Sequence, residues 1–432
     1  MFSSLLVLTL LHLVSASFVP ERVHLSFGDN PHEIIVTWST KNNTIASVVE
    51  YGIGGLVKQA YGKPTLFRNP PEEGRPVKQQ YIHRVKLRRL EPDSKYSYHV
   101  GSNLAWSNQF WFVTPPAEED NWSPQLAIFG DLGNENAVSL PRLQKETQRG
   151  LYDAIIHIGD FAYDMDMDQG NYADEFFKEI ESIAAYVPYM ASPGNHEEQF
   201  NFTHYRTLFS MPGNTEGLMY SFNMGPVHFI SISTEFYYFL KYGFKLVAKQ
   251  YLWLERDLKE ATSYSNRTRH PWIVVLGHRP MYCSNLNHDD CTYFETRTRV
   301  GLPVVGWFGL EDLFYNYGVD LMIWAHEHSY ERLWPMYNYQ VYNGSYEDPY
   351  RNPNAPVHIT TGSAGCKEIH DNFKYPTPPW SAFQSTNYGF MRMKAFNSSH
   401  LYMEQISEDL EGQVIDHMWL IKDYHGPYKQ TS

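Results

Sequence analysis

Five short apolar runs, each leading to a small residue and then a polar one, constrain this chain more than any other feature. Leu126 to Phe129 runs into Gly130-Asp131, and Ala154 to Ile158 into Gly159-Asp160. Tyr189-Met-Ala191 leads into Pro193-Gly-Asn-His-Glu197, Trp272 to Leu276 into Gly277-His278, and Leu321 to Trp324 into Ala325-His326. Helical patterning lies between the first three, from Val138 to about Gln148 and from about Tyr172 to Tyr186. Short apolar strands alternating with such helices predict an α/β sheet. In open sheets of this kind ligands gather outside the carboxyl ends of the strands. Five separate loops would therefore deliver Asp131, Asp160, Asn195, His278 and His326 to one place. Beyond about Pro356 the chain returns to strand-like runs, Val357 to Thr361 and Tyr388 to Phe396, which would finish the second half of a sandwich.

Upstream, residues 20–116 read as all-β. Val23 to Phe27, Ile34 to Trp38 and Tyr81 to Leu87 alternate apolar and polar residues, and Phe110 to Val113 would be the last strand. The segment from Leu90 to Val100 resembles a fibronectin type III sandwich, with Leu90 and Pro92 leading into a strand that carries Tyr96 and Tyr98 and sets a tyrosine at its corner. Thr114 to Asp120 would be the linker between two domains, 20–116 and 122–420.

Residues 1–16 read as a signal peptide: Leu5 to Val14 is apolar, and Val14-Ser15-Ala16 supplies small residues for cleavage. The run is too short to span a bilayer, and no later stretch is apolar enough to do so. A secreted or extracellular destination is expected, with the lysosome as the alternative. Six sequons, at Asn42, Asn121, Asn201, Asn266, Asn343 and Asn397, fit a glycoprotein. Of three cysteines, Cys283 and Cys291 are near enough in sequence to close a small loop in an oxidising compartment. Cys366 is then unpaired, or pairs with another chain in a homodimer. The formal charge of −13 argues against a nucleic-acid partner, which calls for a basic face. Protonating all 19 histidines would carry that charge to +6, so the surface field depends on acidity.

The residue types at the strand ends fit two different metal ions. Asp131, Asp160 and Tyr163 supply anionic oxygens for a hard trivalent ion. Asn195, His278 and His326 supply a neutral oxygen and imidazoles for Zn²⁺ or another borderline ion. Asp160 has two oxygens with which to bridge them, and His328, two residues after His326, reaches the other ion. Taken one at a time, these motifs are weak. A Gly-Asp after a strand is usually a turn, Tyr163 alone is more often a core aromatic, and Asn195-His196 alone could cap a helix. Their joint occurrence, order and placement at strand ends single them out. His204, His228 and His358 read as structural, and Glu197 and Glu331 either orient ligand histidines or make caps and surface pairs.

At Gly130-Asp-Leu-Gly133, Gly159-Asp-Phe-Ala-Tyr163, Gly194-Asn-His-Glu197, Val275-Leu-Gly-His278 and Ala325-His-Glu-His328 the chain resembles the purple acid phosphatases, a family of metallophosphoesterases. Gly277-His-Arg-Pro-Met-Tyr-Cys283 and Ala325-His-Glu-His-Ser-Tyr-Glu-Arg332 resemble its animal members. The resemblance implies a fibronectin-like N-terminal domain and then a metallophosphoesterase sandwich of two mixed sheets flanked by helices. It implies Fe³⁺ on Asp131, Asp160, Tyr163 and His328, and a second ion, zinc or alternatively manganese, on Asp160, Asn195, His278 and His326. His196 would contact the phosphate, and His288 is the candidate for a second catalytic histidine. The implied reaction is hydrolysis of phosphate monoesters in acid, by a hydroxide that bridges the ions or sits on Fe³⁺. The alternatives are a Mn/Zn phosphodiesterase or protein phosphatase of the calcineurin-like group, and an inactive secreted binding protein. Ala325 stands where many members have Gly, which carries a penalty if that position needs positive φ.

Overall fold

The computed structural model describes residues 17–118 and 122–428; residues 1–16, expected to be a signal peptide, and the sequon at Asn121 lie outside the described residues. The N-terminal domain is a sandwich of two antiparallel sheets. One runs in the order Glu21–Phe27, Ile34–Thr40, Gln79–Leu87, Thr65–Arg68. The other joins Lys58–Gly62, Ser47–Gly52, Lys95–Ser102, Ala105–Trp106 and Phe110–Val113. The side chains of Trp38, Val49, Tyr96, Tyr98 and Phe112 are buried between them. Tyr96 makes the expected corner: its hydroxyl oxygen accepts the backbone N–H of Glu91 at 2.8 Å.

The larger domain is a sandwich of two mixed sheets. In the first, Tyr189–Ser192, Ala154–Ile158 and Gln125–Phe129 are parallel neighbours. Gly389–Asn397 then pairs antiparallel to Gln125–Phe129 and is followed by His400–Ser407 and Gln413–Ile421. In the second, Val227–Ser231, Trp272–Leu276, Leu321–Trp324 and Val357–Thr361 run parallel. Tyr220–Met224, Tyr330–Leu333 and Ser381–Ser385 complete it antiparallel. The parallel strands Ala154–Ile158, Trp272–Leu276 and Leu321–Trp324 are buried along their whole length, which is why they read as unbroken apolar runs. The C-terminal residues thus serve both sheets, Val357–Thr361 one and 389–421 the other.

Helices Leu140–Gln148, Met167–Ala184 and Lys245–Ala261 flank this core. The second starts five residues before the expected Tyr172, but Asp168, Gln169 and Gly170 inside it have left-handed φ and ψ, so regular helix begins only after them. The same helix is the seat of the N-terminal domain. Glu181 accepts the backbone N–H of Val23 at 2.8 Å, Asp174 pairs with Arg22, and just past the helix Tyr98 donates to the carbonyl of Ala185 at 2.7 Å. The Cys283–Cys291 disulfide is formed, and Cys366 is free and buried, which removes it as a link to another chain. No helix among the described residues is long and apolar enough to cross a membrane.

Candidate metal centre

The five strand ends converge in two adjoining groups. In one, the Tyr163 hydroxyl lies 2.9 Å from His328 Nε2 and 3.3 Å from Asp131 Oδ1, and His328 Nε2 lies 3.5 Å from Asp131 Oδ1. In the other, His278 Nε2 lies 3.0 Å from Asn195 Oδ1 and 3.1 Å from Asp160 Oδ2. Donor atoms of Asp160, His278 and His326 all fall within 4.8 Å of one another. Every candidate ligand is therefore in one group or the other.

The ring nitrogens of these histidines are sorted by their outer partners. His278 Nδ1 donates to the carbonyl of Ile158 at 2.8 Å, and His328 Nδ1 to that of Ile369 at 3.1 Å. A carbonyl only accepts, so each ring is protonated there and turns Nε2 toward the centre. His326 is turned the other way. Its Nε2 meets Asp289 Oδ2 at 3.1 Å and Arg279 Nη1 at 3.0 Å, which leaves Nδ1 as the inward donor.

Close backbone approach makes this possible. A Cβ on Gly194 would lie 2.2 Å from Asp160 Oδ1. Asp131, Asp160, Tyr163 and His326 have φ of 59, 56, 51 and 69°, a region that side-chain-bearing residues rarely occupy. The penalty foreseen at Ala325 falls instead on His326, because Ala325 is not among the residues with positive φ. The glycine is needed opposite, since a Cβ on Gly130 would lie 2.3 Å from that of Ala325.

Glu197 fastens the loops from beneath. Its carboxylate accepts the N–H groups of Asp160 at 2.9 Å, Phe161 at 3.0 Å and Gly194 at 2.8 Å. It holds ligand-bearing backbone rather than a ligand ring. Glu331 touches no ligand; it accepts from Ser284 N at 2.9 Å and Ser381 Oγ at 2.6 Å.

The cleft above the centre, about 370 Å³, is lined by Asp160, Asn195, His196, His288, His326 and His328, among others. His288 thus lies on the rim and His196 inside. A larger groove of about 850 Å³ is lined by Asp29, His228 and Asp257, among others. His228 is near the amino end of the strand Val227–Ser231, the end remote from the candidate ligands.

Three family descriptions match the chain: purple acid phosphatase N-terminal domain over residues 20–114, calcineurin-like phosphoesterase over 124–330, and iron/zinc purple acid phosphatase-like protein C over 355–417. Acid phosphatase type 7 of Danio rerio is 56% identical over 94% of this chain and 92% of its own length. The chain belongs to the purple acid phosphatase family. It is accordingly a metallophosphoesterase, an enzyme. The Fe(3+)-Zn(2+) purple acid phosphatase 12 of Arabidopsis thaliana is 28% identical over 95% of this chain and 86% of its own. The solved structure of a purple acid phosphatase from yellow lupin seeds superposes with a TM-score of 0.77 at 25% identity, covering 94% of this chain and 75% of that one.

The electrostatics of a purple acid phosphatase centre are visible in the protein groups themselves. Burial, followed by the charges of Asp131 and Asp160, pushes the Tyr163 phenol well above its ordinary range. Burial opposes a proton on His278, yet Asp160 raises that ring to about 10. His328 is raised too, against its burial, by Asp131. The clustered buried carboxylates thus draw positive charge toward themselves. Oxygen-rich donors on one side and imidazoles on the other fit a hard ion beside a borderline one.

Several participants carry no signal in the sequence beyond position. Asp164 Oδ1 holds His196 Nδ1 at 2.8 Å. Arg279, directly after His278, is pinned by Glu235 Oε2 at 2.8 Å and by Asp290, beside the outer nitrogen of His326. Asp371 accepts the backbone N–H of His328 at 2.7 Å, and the Cys366 sulfur lies 3.9 Å from that ring.

Proposed function

We propose that this chain hydrolyses phosphate monoesters in acid at a pair of ions, Fe³⁺ with Zn²⁺, Mn²⁺ being the alternative second ion. The observation that carries this reading is the division of donors: Asp131, Tyr163 and His328 in one group, and Asn195, His278 and His326 with Asp160 in the other. The first set would hold iron and the second zinc, each with Asp160. Ions so held would supply Lewis acidity toward phosphate oxygens and an activated water.

The chain's own groups do the rest. His196 faces the cleft with Nδ1 tied to Asp164, so Nε2 is its other proton-bearing edge, with Glu368 Oε1 at 3.7 Å and Asp160 Oδ2 at 4.0 Å. Burial disfavours the charged ring, but Asp160 and Asp164 raise it to about 9, which keeps it a donor in acid. It would hydrogen-bond the phosphate and hand its proton to the departing alkoxide. His288, which also lines the cleft, would meet the same substrate.

Tyr163 favours this reading over a phosphodiesterase or protein phosphatase of the calcineurin-like group, since its oxygen sits among iron-type donors. An intact donor set weighs against an inactive binding protein. The pattern of residues 1–16 supports secretion or lysosomal delivery of a glycoprotein. Of its sequons, Asn42 and Asn397 are exposed, and Asn201, Asn266 and Asn343 are half-buried. The test is metal analysis with a visible spectrum, followed by a pH–rate profile on an aryl phosphate monoester. One iron and one divalent ion per chain with activity greatest in acid are expected. A colourless enzyme needing only Mn²⁺ and preferring diesters would overturn the reading.

A further inference from the structure

The segment that carries Asp164 is wound against its own preference. Tyr163, Asp164, Asp168, Gln169 and Gly170 have φ of 51, 81, 49, 54 and 77°. Each residue with a side chain loses about 1–2 kcal/mol in that region, so the segment needs outside restraint.

The first domain supplies it. Asn69, buried at 3% exposure, donates through Nδ2 to the carbonyl of Gln169 at 2.7 Å and meets His204 Nε2 through Oδ1 at 2.9 Å. The backbone N–H of Lys78 donates to Gln169 Oε1 at 3.1 Å, and its ammonium reaches Asn171 at 2.6 Å and Asp174 at 2.7 Å. Arg75 donates to Asp168 at 2.6 Å.

From Gln169 the restraint passes inward through two turns. Gly170 N–H bonds the carbonyl of Asp166 at 3.1 Å, and Met167 N–H bonds that of Asp164, also at 3.1 Å. Asp164 in turn holds His196 Nδ1 at 2.8 Å.

We propose that Asn69 is a positioning residue for catalysis: through Gln169 it fixes the Asp164–His196 pair, so that the N-terminal sandwich forms part of the working enzyme. The assignment rests on the phosphatase reading of His196.

The experiment compares the full-length wild type with Asn69→Asp, Asp164→Asn and the double variant. Asn69→Asp keeps the shape but loses the donor to Gln169. Tyr98→Phe is the control, since it removes a different interdomain hydrogen bond, to Ala185. Asn69→Asp should lower kcat about tenfold while KM and metal content stay within about twofold, because misplacement of a catalytic group acts on the chemical step. The double variant should lose no more than Asp164→Asn alone, since both act on one path. Amide exchange over residues 164–171 should accelerate in Asn69→Asp and not in Tyr98→Phe. If Asn69→Asp does not fold, Lys78→Met, which strips only the ammonium contacts, should show the same pattern at about threefold. Equal kcat in the Asn69 and Tyr98 variants, multiplied losses in the double variant, or unchanged exchange would each overturn the proposal. A wild type without phosphatase activity would sink the functional reading instead, and the exchange comparison would still decide whether Asn69 restrains the segment.

Discussion

Gly194→Ala is the sharpest perturbation of the centre. Gly194 has φ −105° and ψ −170°, so alanine fits its backbone and the effect is one of contact alone. The added Cβ would stand 2.2 Å from Asp160 Oδ1, 2.7 Å from Asp160 N and 3.0 Å from Asp160 Cγ. Unbonded heavy atoms settle near 3.5 Å, so the contact must open by about 1 Å. Overpacking of this kind destabilises by about 1–3 kcal/mol. The function suffers more, because Asp160 is the residue proposed to serve both ions and a displacement of about 1 Å lowers turnover roughly 100-fold. The assay is metal content by mass spectrometry, then kcat on an aryl phosphate, with melting followed in chelator and in added metal. Gly55→Ala is the control, its only near atom being Val57 Cγ1 at 3.9 Å. The variant should fold, melt slightly earlier than wild type in chelator, and gain much less stability from metal. A Gly194→Ala enzyme with both ions and turnover within about threefold of wild type would refute the idea that this approach fixes Asp160.

Tyr163→Phe should fold normally and lose the visible band, because a phenolate on iron is its source; an unchanged spectrum removes Tyr163 from the ligand set. His196→Ala should reduce kcat by about 10²–10⁴-fold with metal content nearly intact, as expected for a general acid; parallel loss of both makes the residue structural. His83 bears on acid stability. It is buried against Thr40 and Ser47, both at 2.8 Å, and stacks on Trp38. Burial holds it down from 6.5 to about 4. A base with a depressed folded-state value contributes its stability fully above 6.5 and loses it as pH falls to about 4. The span corresponds to about 3 kcal/mol. His83→Gln should therefore flatten the stability curve between pH 6.5 and 4 by about that amount in urea titrations. Identical pH slopes for the two proteins would disprove the burial argument.

The parallel strands were legible because burial on both faces writes them as continuous apolar runs, and their ends were legible because close loop packing demands small residues beside the donors. Tyr96 was legible for a similar reason, the corner being a local hydrogen bond to Glu91 five residues away. The helix Lys245–Ala261 was not anticipated. Its buried stripe of Val247, Leu254 and Leu258 is broken by Gln250, which satisfies both the N–H and the C=O of Ser233 at 2.8 Å. A polar residue in mid-stripe erases the period that would announce the helix. Asp371, Asp164 and Asn69 were invisible as site residues because their partners are determined by the tertiary fold. Asn69 meets Gln169 from 100 positions away in the chain.

The left-handed residues tie these observations together. Aspartate tolerates that conformation better than most, so Asp131 and Asp160 strain the backbone mildly, whereas Tyr163 and His326 carry the larger share. At about 1–3 kcal/mol each, four such residues approach the net stability of a whole domain. The loops cannot hold that geometry by themselves. It is imposed from below, where the Glu197 carboxylate gathers three backbone N–H groups and the buried strands admit no slack. Ions bound at the strand ends would add to the same restraint, since they favour the one arrangement in which the donors converge. The centre is therefore a place where the sandwich spends stability to keep seven side chains facing inward, and the rigidity of its strands follows from that demand.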